Sequence, residues 1–334
     1  MKAPGTLLLS RTDVERLLTP DLCIAAVEDA FKQYAEGTMP PPGILGMHAE
    51  EGSFHVKAGF LTTDRPYFAA KLNANFPRNG AKHALPTIQG AVILCDAARG
   101  TPLAIMDSIA ITALRTAAAS AVAAKHFAPE QCETALICGC GGQAAAQLRA
   151  LFRTRRPQRV LAYDRDRAKA MAFSKAMGAE SGMPIEPATD LSAAAAESRI
   201  IITCTTAQRY FITREMIRPG TFIAAVGADN ENKQEIDPRL LAESTVVTDL
   251  TEQACLIGDL HHAISAGTMT REAVHAELGE VIAGHKPGRQ RADQTIVFDS
   301  TGTGLQDVAA AIAVYRRAVE EQAGSSFVLS ARAA

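Results

Sequence analysis

The chain has 334 residues, of which 47% are hydrophobic and 21% are charged, and its formal net charge at pH 7 is −2. This balance argues against a protein drawn as a whole to nucleic acid or to an anionic membrane, and it favours small-molecule chemistry. No apolar run approaches the roughly 20 residues of a membrane-spanning helix, and the first residues lack the apolar core of a signal peptide, so we predict a cytoplasmic protein.

The first third of the chain predicts helices followed by antiparallel strands. Two helices are expected within residues 10–36, where start signals and a one-sided apolar pattern occur. After a proline-rich break, short apolar runs bounded by Gly, Asn and Pro predict strands at 53–60, 67–75 and 91–95. An alanine-rich helix at 107–127 then leads into the second part of the chain.

From residue 134 onward, predicted strands alternate with predicted helices. The strands lie at 134–138, 159–163, 199–204, 221–226, 245–248 and 295–299, with helices at 143–153, 166–178 and 190–197 and a last one at roughly 305–322. This alternation is typical of a parallel sheet with helices on both faces. We therefore predict an α/β protein with a Rossmann-type, doubly wound parallel sheet, and the length favours a second domain.

A glycine-rich turn joins the first of these parallel strands to its helix. It runs from Gly139 to Ala144 and has the pattern G-x-G-x-x-A. Gly139 allows a tight turn, Gly141 lets the backbone approach a pyrophosphate, and Ala144 permits close packing of helix on strand. The helix N-terminus offers free N–H groups to the anion. The turn therefore predicts dinucleotide binding.

The end of the next strand bears on the choice of dinucleotide. Asp164 lies 25 residues after Gly139, where a carboxylate can accept a hydrogen bond from a ribose 2′-hydroxyl. A carboxylate repels a 2′-phosphate, so Asp164 favours NAD. Arg165 and Arg167 follow at once and could neutralise that phosphate, which leaves NADP open.

The cysteines and histidines show no metal-binding pattern. The seven cysteines include no C-x-x-C pair, and the eight histidines have no third partner at ligand spacing. We expect free thiols in a reducing compartment and no metal site. Cys140, at the start of a predicted helix, is the one thiol whose pKa a helix terminus could lower, with an inert loop position as the alternative.

Further motifs extend over most of the chain. They are Ala70-Lys71-Leu72-Asn73, Leu85-Pro86-Thr87, 114–118, 139–144, Val226-Gly227-Ala228-Asp229 with Lys233-Gln234-Glu235, 279–284 and 298–302. Together they resemble the ornithine cyclodeaminase/mu-crystallin family, which also holds archaeal-type alanine dehydrogenases and imino-acid reductases. The resemblance implies a Rossmann dinucleotide-binding domain at 125–300. It further implies a discontinuous α+β domain for substrate binding and dimerisation, made of 1–124 and 301–334, and a homodimer.

The resemblance also implies which residues contact the cofactor. These are Thr87, Arg115, Gly142, Gln143, Asp164, Thr205, Val226, Lys233 and Ser300. Gly139, Gly141 and Ala144 join them as predicted contacts from the pattern of the glycine-rich turn, and Thr301 is a predicted substrate contact.

Three charged residues are candidates for substrate binding and catalysis. Lys71 and Arg115 lie among apolar or small residues, and a buried cation needs a partner such as a substrate α-carboxylate. The guanidinium of Arg115 suits a carboxylate or a pyrophosphate. For both Lys71 and Arg115 the competing interpretation is an internal salt bridge or a snorkelling surface side chain. Asp229 follows a predicted parallel strand, where ligands collect, and could exchange a proton with an amine or imine. A turn-forming Asp is its alternative.

One stretch departs from the pattern of ornithine cyclodeaminases. These enzymes usually carry an Arg and then a Glu at positions that correspond here to 44–48 and 54–59, and both are missing. His55 and Lys57 lie two apart on a predicted strand and therefore point to one face. We expect them to supply cations for a substrate with a second carboxylate, with a solvated strand face as the alternative.

The expected activity is NAD(P)H-dependent reduction of a small α-imino acid to an L-amino acid, or the reverse dehydrogenation. Lys71 and Arg115 would hold the carboxylate of this amino, imino or oxo acid, and Asp229 would handle the proton on nitrogen. Two alternatives stay open. One is cyclodeamination of a diamino acid with recycled NAD and release of ammonia. The other is nucleotide-dependent binding of a small ligand, as in mu-crystallin, although the presence of Asp229 favours catalysis.

Overall fold

The computed structural model describes residues 5–329. These residues form two compact units. We call residues 5–115 with 303–329 the N-terminal unit and residues 116–302 the central unit. The division falls inside a helix, directly after Arg115.

The elements are numbered in chain order. The strands are β1 (Thr6–Leu9), β2 (Gly43–Ala49), β3 (Gly52–Thr62), β4 (Pro66–Asn75), β5 (Ile88–Asp96), β6 (Thr101–Asp107), β7 (Thr134–Cys138), β8 (Arg159–Tyr163), β9 (Ile185–Pro187), β10 (Ile200–Thr203), β11 (Gln208–Ile212), β12 (Phe222–Ala225), β13 (Gln234–Ile236), β14 (Thr245–Thr248), β15 (Ala276–Glu277), β16 (Ile296–Asp299) and β17 (Ser325–Phe327). The helices are α1 (Arg11–Leu17), α2 (Pro20–Ala35), α3 (Asn79–His83), α4 (Ser108–Phe127), α5 (Ala144–Thr154), α6 (Arg167–Ser181), α7 (Leu191–Glu197), α8 (Pro238–Ala242), α9 (Thr251–Ala254), α10 (Asp259–Ser265), α11 (Leu278–Ile282) and α12 (Gly304–Glu320), with 3-10 turns at Arg214–Met216 and Arg271–Ala273.

The N-terminal unit is built on a seven-stranded sheet. Its strand order is β17-β1-β6-β5-β4-β3-β2, and every neighbouring pair is antiparallel except β1 with β6. One face of this sheet packs against α12, whose first eleven residues are all buried. The other face carries exposed large apolar side chains, among them Leu8, Phe54, Phe60, Leu72 and Ile93.

Two glycines bring α12 directly onto β3. A Cβ added at Gly304 would lie 2.3 Å from the carbonyl oxygen of Ala58, and one added at Gly59 would lie 3.0 Å from the backbone of Gly304. Neither position has room for a side chain, because the two backbones touch. The first turn of α12, which contains Gln306 and Asp307, is therefore fixed against the sheet by its backbone.

The central unit is built on an eight-stranded, wholly parallel sheet. Its order is β15-β14-β16-β12-β10-β7-β8-β9. The strand order therefore reverses between β7 and β10, which is the topological switch point of doubly wound sheets. Ligands bind in such folds outside the carboxyl ends of the strands at this point. The predicted Rossmann-type fold class is confirmed.

The predicted strands of the central unit agree with the observed ones within a residue at each end, and three of the six coincide with β7, β8 and β14. The predicted helix at 107–127 is α4, where Asp107 accepts hydrogen bonds from the backbone N–H groups of Ile109 and Ala110 and so caps the start. The short strands β9, β11, β13 and β15, and helices α8 to α11, were not predicted.

No helix within residues 5–329 combines the length and apolarity needed to cross a membrane. The seven cysteines are free, and the described residues contain no cluster of His, Cys, Asp and Glu suited to a metal ion.

Candidate functional site

A group of charged side chains lies between the sheet and helices of the N-terminal unit. Lys57 on β3, Lys71 on β4, Arg115 on α4 and Asp307 on α12 form what we call the cation cluster. Lys71 Nζ donates to Asp307 Oδ1 at 2.7 Å, and Arg115 Nε donates to the same oxygen at 2.9 Å. Lys57 is the direct cross-strand neighbour of Lys71. One carboxylate thus lies among three cations.

All four members of the cation cluster are buried. The exposed fraction is 3% for Lys71, 5% for Arg115 and 1% for Asp307. Arg115 is held by a second bond, from Nη1 to Oε1 of Gln306 at 2.6 Å, so two of its nitrogens are oriented by α12. A guanidinium fixed in this way keeps one plane, which suits bidentate binding of a carboxylate.

Burial and mutual charge shift the protonation of the cation cluster. Desolvation lowers the pKa of Lys71 to about 7, and the nearby positive charge of Arg115 adds to this effect, while Asp307 opposes it. Burial alone would raise the pKa of Asp307, but the charges of Lys71 and Arg115 outweigh burial and hold it below its ordinary value. The charge of Lys71 is therefore sensitive to pH near neutrality.

Several buried polar atoms on or directly before the elements that carry the cation cluster have no hydrogen-bond partner among the described residues. They are Asn73 Oδ1, Ser108 Oγ, Thr303 Oγ1, Gln306 Nε2 and Asp307 Oδ2. Asn73 follows Lys71 by two residues on the same face of β4, and Ser108 precedes Arg115 by two helical turns. Buried polar groups are nearly always satisfied in folded proteins, so these atoms indicate a place for a polar ligand.

The other predicted residues of the N-terminal unit lie at different depths. His55 is half-buried on β3, on the same face as Lys57, and one ring nitrogen is 2.9 Å from Ser53 Oγ. Thr87 is exposed in the loop before β5, where its carbonyl oxygen accepts a hydrogen bond from Phe76 N at 2.8 Å.

In the central unit, the glycine-rich turn has the geometry of a cradle for a phosphate group. Gly139 has φ of 93°, and a Cβ there would lie 2.8 Å from Thr205 Cγ2, so only glycine fits at this turn. A Cβ at Gly141 or Gly142 would meet nothing within 4 Å, which leaves open space beside the backbone. Ala144 is fully buried and begins α5, whose N-terminus has no side-chain cap.

Asp164 is held by this same turn. Its Oδ2 accepts a hydrogen bond from Cys140 N at 2.9 Å, and its Oδ1 accepts one from Asp166 N at 2.8 Å. Arg165 and Arg167 are exposed beside it. The Cys140 thiol is not activated, because burial, with a smaller contribution from the charge of Asp164, raises its pKa to about 12. Cys140 is therefore an inert loop residue.

These features fit a dinucleotide. The turn after β7, Asp164 after β8 and Thr205 after β10 all lie at the carboxyl ends of neighbouring strands around the switch point. The open space at Gly141 and the uncapped start of α5 would accept a pyrophosphate. Gln143 Oε1 and Ser300 Oγ are buried without a partner among the described residues, as expected where a ligand supplies one.

Asp229 lies past the end of β12, in the same row of strand ends. Its Oδ1 is 2.7 Å from Lys233 Nζ, and its side chain is 54% exposed. The carboxylate of Asp229 is therefore accessible to a substrate. The predicted residue Val226 is buried just before this loop.

Glu235 belongs to one of the sequence motifs, but the sequence assigns it no role. Its carboxylate is fully buried and accepts hydrogen bonds from Thr203 Oγ1, Thr205 N, Thr205 Oγ1 and Gly227 N at 2.6 to 2.7 Å. Glu235 therefore ties the loops after β10 and β12 together. In the sequence, Glu235 is only an acidic residue next to the apolar residue Ile236. This pattern is too common to predict a buried carboxylate that links two loops.

A second buried network holds Thr301. Its hydroxyl donates to Asp249 Oδ1 at 2.8 Å and accepts a hydrogen bond from Gln253 Nε2 at 2.7 Å. Nearby, Asp299 accepts hydrogen bonds from the backbone N–H groups of Asp259 and Leu260. Burial raises the pKa of Asp299 to about 7, and the neighbouring carboxylates add to this shift.

Asp307 and Gln306 of the N-terminal unit were also missed by the sequence analysis, since two polar residues at the start of an alanine-rich helix carry no distinctive pattern.

The comparisons with known proteins agree with this architecture. The ornithine cyclodeaminase/mu-crystallin family model matches residues 5–322. The chain is 36% identical to the alanine dehydrogenase of Archaeoglobus fulgidus, over 96% of this chain and 97% of that one. It is 34% identical to the iminosuccinate reductase of Paracoccus denitrificans, over 92% and 95%.

Solved structures are similar over the same length. An archaeal alanine dehydrogenase dimer with bound NAD has a TM-score of 0.93 at 35% identity, covering 98% of this chain and all of that one. The Δ1-pyrroline-2-carboxylate reductase of Thermococcus litoralis, solved with NADH and L-proline, has a TM-score of 0.91 at 32% identity over 96% and 100%. A lysine cyclodeaminase has a TM-score of 0.83 at 28% identity over 98% and 96%.

The family resemblance predicted from the motifs is thereby confirmed, and the predicted cofactor agrees with those bound in the solved dehydrogenase and reductase. The relatives include both oxidoreductases and cyclodeaminases. The chain belongs to the ornithine cyclodeaminase/mu-crystallin family.

Proposed function

We propose that this protein is an NAD(P)H-dependent reductase of a small α-imino acid, which adds hydride to the imine carbon and yields an L-amino acid. The observation that carries the proposal is the buried pair of Lys71 and Arg115 on one oxygen of Asp307. An ammonium and an oriented guanidinium side by side suit the α-carboxylate of such an acid. The named activities of the oxidoreductase relatives support the same chemistry.

The central unit would hold the cofactor, with NAD preferred. Its predicted contacts in that unit are the turn from Gly139 to Ala144, Asp164, Thr205, Val226, Lys233 and Ser300. Thr87 and Arg115, which belong to the N-terminal unit, are also predicted contacts. The cofactor, when bound, supplies the hydride. The chain's own contribution is to orient the cofactor through backbone N–H groups at the turn and through a carboxylate at the ribose.

The remaining steps fall to side chains of the protein. Lys71 and Arg115 neutralise and orient the carboxylate of the acid. Asp229 exchanges a proton with the nitrogen, since reduction of an imine needs a proton there.

A substrate with a second carboxylate is the finer proposal. Lys57, Lys71 and Arg115 place three cationic side chains around the carboxylate of Asp307, and Lys57 is only 8% exposed. Charge-assisted hydrogen bonds from ammonium and guanidinium groups to carboxylates are strong. An imino or oxo dicarboxylate would offer two carboxylates to these cations, with His55 on the same strand face as a further contact.

Cyclodeamination is the second candidate. It is favoured by the similarity to a lysine cyclodeaminase and disfavoured by the absence of the Arg and Glu that ornithine cyclodeaminases usually carry. The binding role of mu-crystallin would need no Asp229.

We also propose that the protein is a homodimer in the cytoplasm. The exposed apolar face of the N-terminal sheet suits a dimer interface, and free thiols suit a reducing compartment.

The test is consumption of NADH and NADPH by the purified protein with ammonia or methylamine and a panel of 2-oxo acids, including pyruvate, glyoxylate and oxaloacetate. An ornithine assay for proline and ammonia runs beside it. We expect stoichiometric loss of NADH with one oxo acid, and a dicarboxylate such as oxaloacetate to be preferred. Proline formation without net change of NADH would contradict the proposal.

A further inference from the structure

The cation cluster contains one carboxylate that no proposed step uses. Asp307 lies in the first turn of α12, and the contact of Gly304 with Ala58 fixes that turn against β3. Its Oδ1 accepts hydrogen bonds from both Lys71 and Arg115, which reach it from different elements. Its position is thus set by the backbone, while the two cations reach it through long, flexible side chains.

We propose that Asp307 is a positioning residue that joins Lys71 and Arg115 into one anion-binding unit and keeps Lys71 in its ammonium form. Without a shared anion, the two cations would repel each other, and Lys71 would lose the hydrogen bond to Asp307 that orients it, while Arg115 would keep its bond to Gln306. With it, the two cations are held side by side, at the spacing that a single carboxylate imposes. The inference rests on the proposed function only in taking the anion bound there to be the substrate carboxylate.

The charged groups that face Lys71 determine the direction of the effect. Lys57 faces it from β3 and Arg115 from α4, and both disfavour the ammonium form. Asp307 faces it from α12 and is the anion that favours it. The directly opposed residue on β5 is the apolar Val92. Cys23 on α2 lies near Arg115, and burial raises the pKa of its thiol to about 12, so it carries no charge. Of these groups, removal of Asp307 therefore leaves only those that promote loss of the Lys71 proton.

The first experiment follows the proton of Lys71 directly and needs no substrate. Lysine labelled with 13C at Cε is titrated by NMR in the wild type and in Asp307→Asn, and the Lys71 signal is assigned by its absence in Lys71→Met. We expect the midpoint of Lys71 to fall by about one pH unit or more in Asp307→Asn. An unchanged midpoint in a folded variant would overturn the proposal.

Asp96→Asn is the matched control. Asp96 is also a buried acid of the N-terminal unit, paired with Arg65 and bonded to Ala98 N, but it does not face Lys71. Its replacement should leave the Lys71 midpoint unchanged. A fall of the same size in both variants would mean that general loosening of the unit, and not Asp307 itself, governs Lys71.

A second variant covers the case in which Asp307→Asn does not fold. The double variant Lys71→Met/Asp307→Asn removes both partners and should be more stable to heat than Asp307→Asn alone, because it leaves one fewer unpaired buried cation. A double variant no more stable than the single one would contradict the pairing.

The consequence for activity separates this inference from the proposed function. The alkaline limit of kcat/KM for the acid should move to lower pH in Asp307→Asn. At a pH above both limits, kcat/KM should then be lower by about tenfold for each pH unit that separates them. If the wild type reduces no imino acid, the proposed function fails while the NMR result still decides the role of Asp307.

Discussion

The two candidate binding regions differ in what builds them. The cofactor cradle of the central unit is made by backbone atoms of one short stretch, the turn after β7, with Asp164 at the end of the next strand. The cation cluster of the N-terminal unit is made by side chains from four elements, and Lys57 and Asp307 are 250 residues apart in sequence. A site built from the backbone of one short segment can be predicted from the sequence, whereas a site built from side chains far apart in sequence is found only in the folded structure.

The largest effect on turnover is expected from a substitution of Asp229, in the central unit. Asp229→Asn should lower kcat by roughly a hundred- to ten-thousandfold, because the amide cannot exchange the proton on nitrogen. Steady-state kinetics with the best oxo acid and ammonia measures it. Glu231→Gln, an exposed neighbour in the same loop, should retain full activity. Full turnover by Asp229→Asn would remove the proposed acid–base role.

In the N-terminal unit, Lys71→Met is the variant that should best distinguish the function of the cation cluster from that of the cofactor cradle. Loss of one partner of a desolvated charge pair costs about 2–5 kcal/mol, so kcat/KM for the acid should fall by about thirtyfold or more. The affinity for NADH, measured by fluorescence titration, should stay the same. Lys82→Met, at an exposed lysine paired with Glu51, is the control and should be silent. An equal loss of NADH affinity would mean that the two regions are not distinct.

A pair of glycine variants tests the backbone region alone. Gly141→Ala meets open space, so it should fold normally but bind NADH about tenfold more weakly, or by about 1.4 kcal/mol, because the methyl group occupies the approach of the pyrophosphate. Gly139→Ala has a positive φ and a contact with Thr205, so it should instead lower the free energy of unfolding by about 1–3 kcal/mol. Calorimetry and NADH titration of both variants distinguish these effects; normal NADH binding by Gly141→Ala would contradict the cradle.

The same contrast explains how much the sequence could predict. The central strands were predicted closely because each is a short apolar run between turn residues, and all three of β7, β10 and β12 are fully buried. Strand β2 was missed because all its residues are exposed, so no buried face gives a pattern. Asp307 was missed because its two partners lie at least 192 residues away in sequence. Glu235 was missed because its threonine partners lie up to 32 residues away.

The smallest effect expected is on stability, in the buried acid network of the central unit. Asp299 has a pKa raised from its ordinary value of 3.8 to about 7, so the folded state binds its proton more tightly than the unfolded state. The stabilisation is complete below about pH 4 and is lost as the pH rises through 7.

Asp299→Asn should therefore lose this component of the pH dependence. Calorimetry from pH 4 to 8 should show that the melting temperature of the variant rises relative to that of the wild type as the pH increases. Asp293→Asn, at an exposed acid, is the control and should show a constant difference. A constant difference for Asp299→Asn as well would show that this carboxyl does not titrate in the folded protein.

The most direct test of the proposed reaction follows the hydride itself. The protein is given NADH deuterated at the transferred position, ammonia and the preferred oxo acid, and the amino acid product is analysed by mass spectrometry and NMR. We expect one deuterium on the α-carbon for each NADH consumed. A product without deuterium, or formed while the NADH stays unconsumed, would contradict imine reduction by this protein.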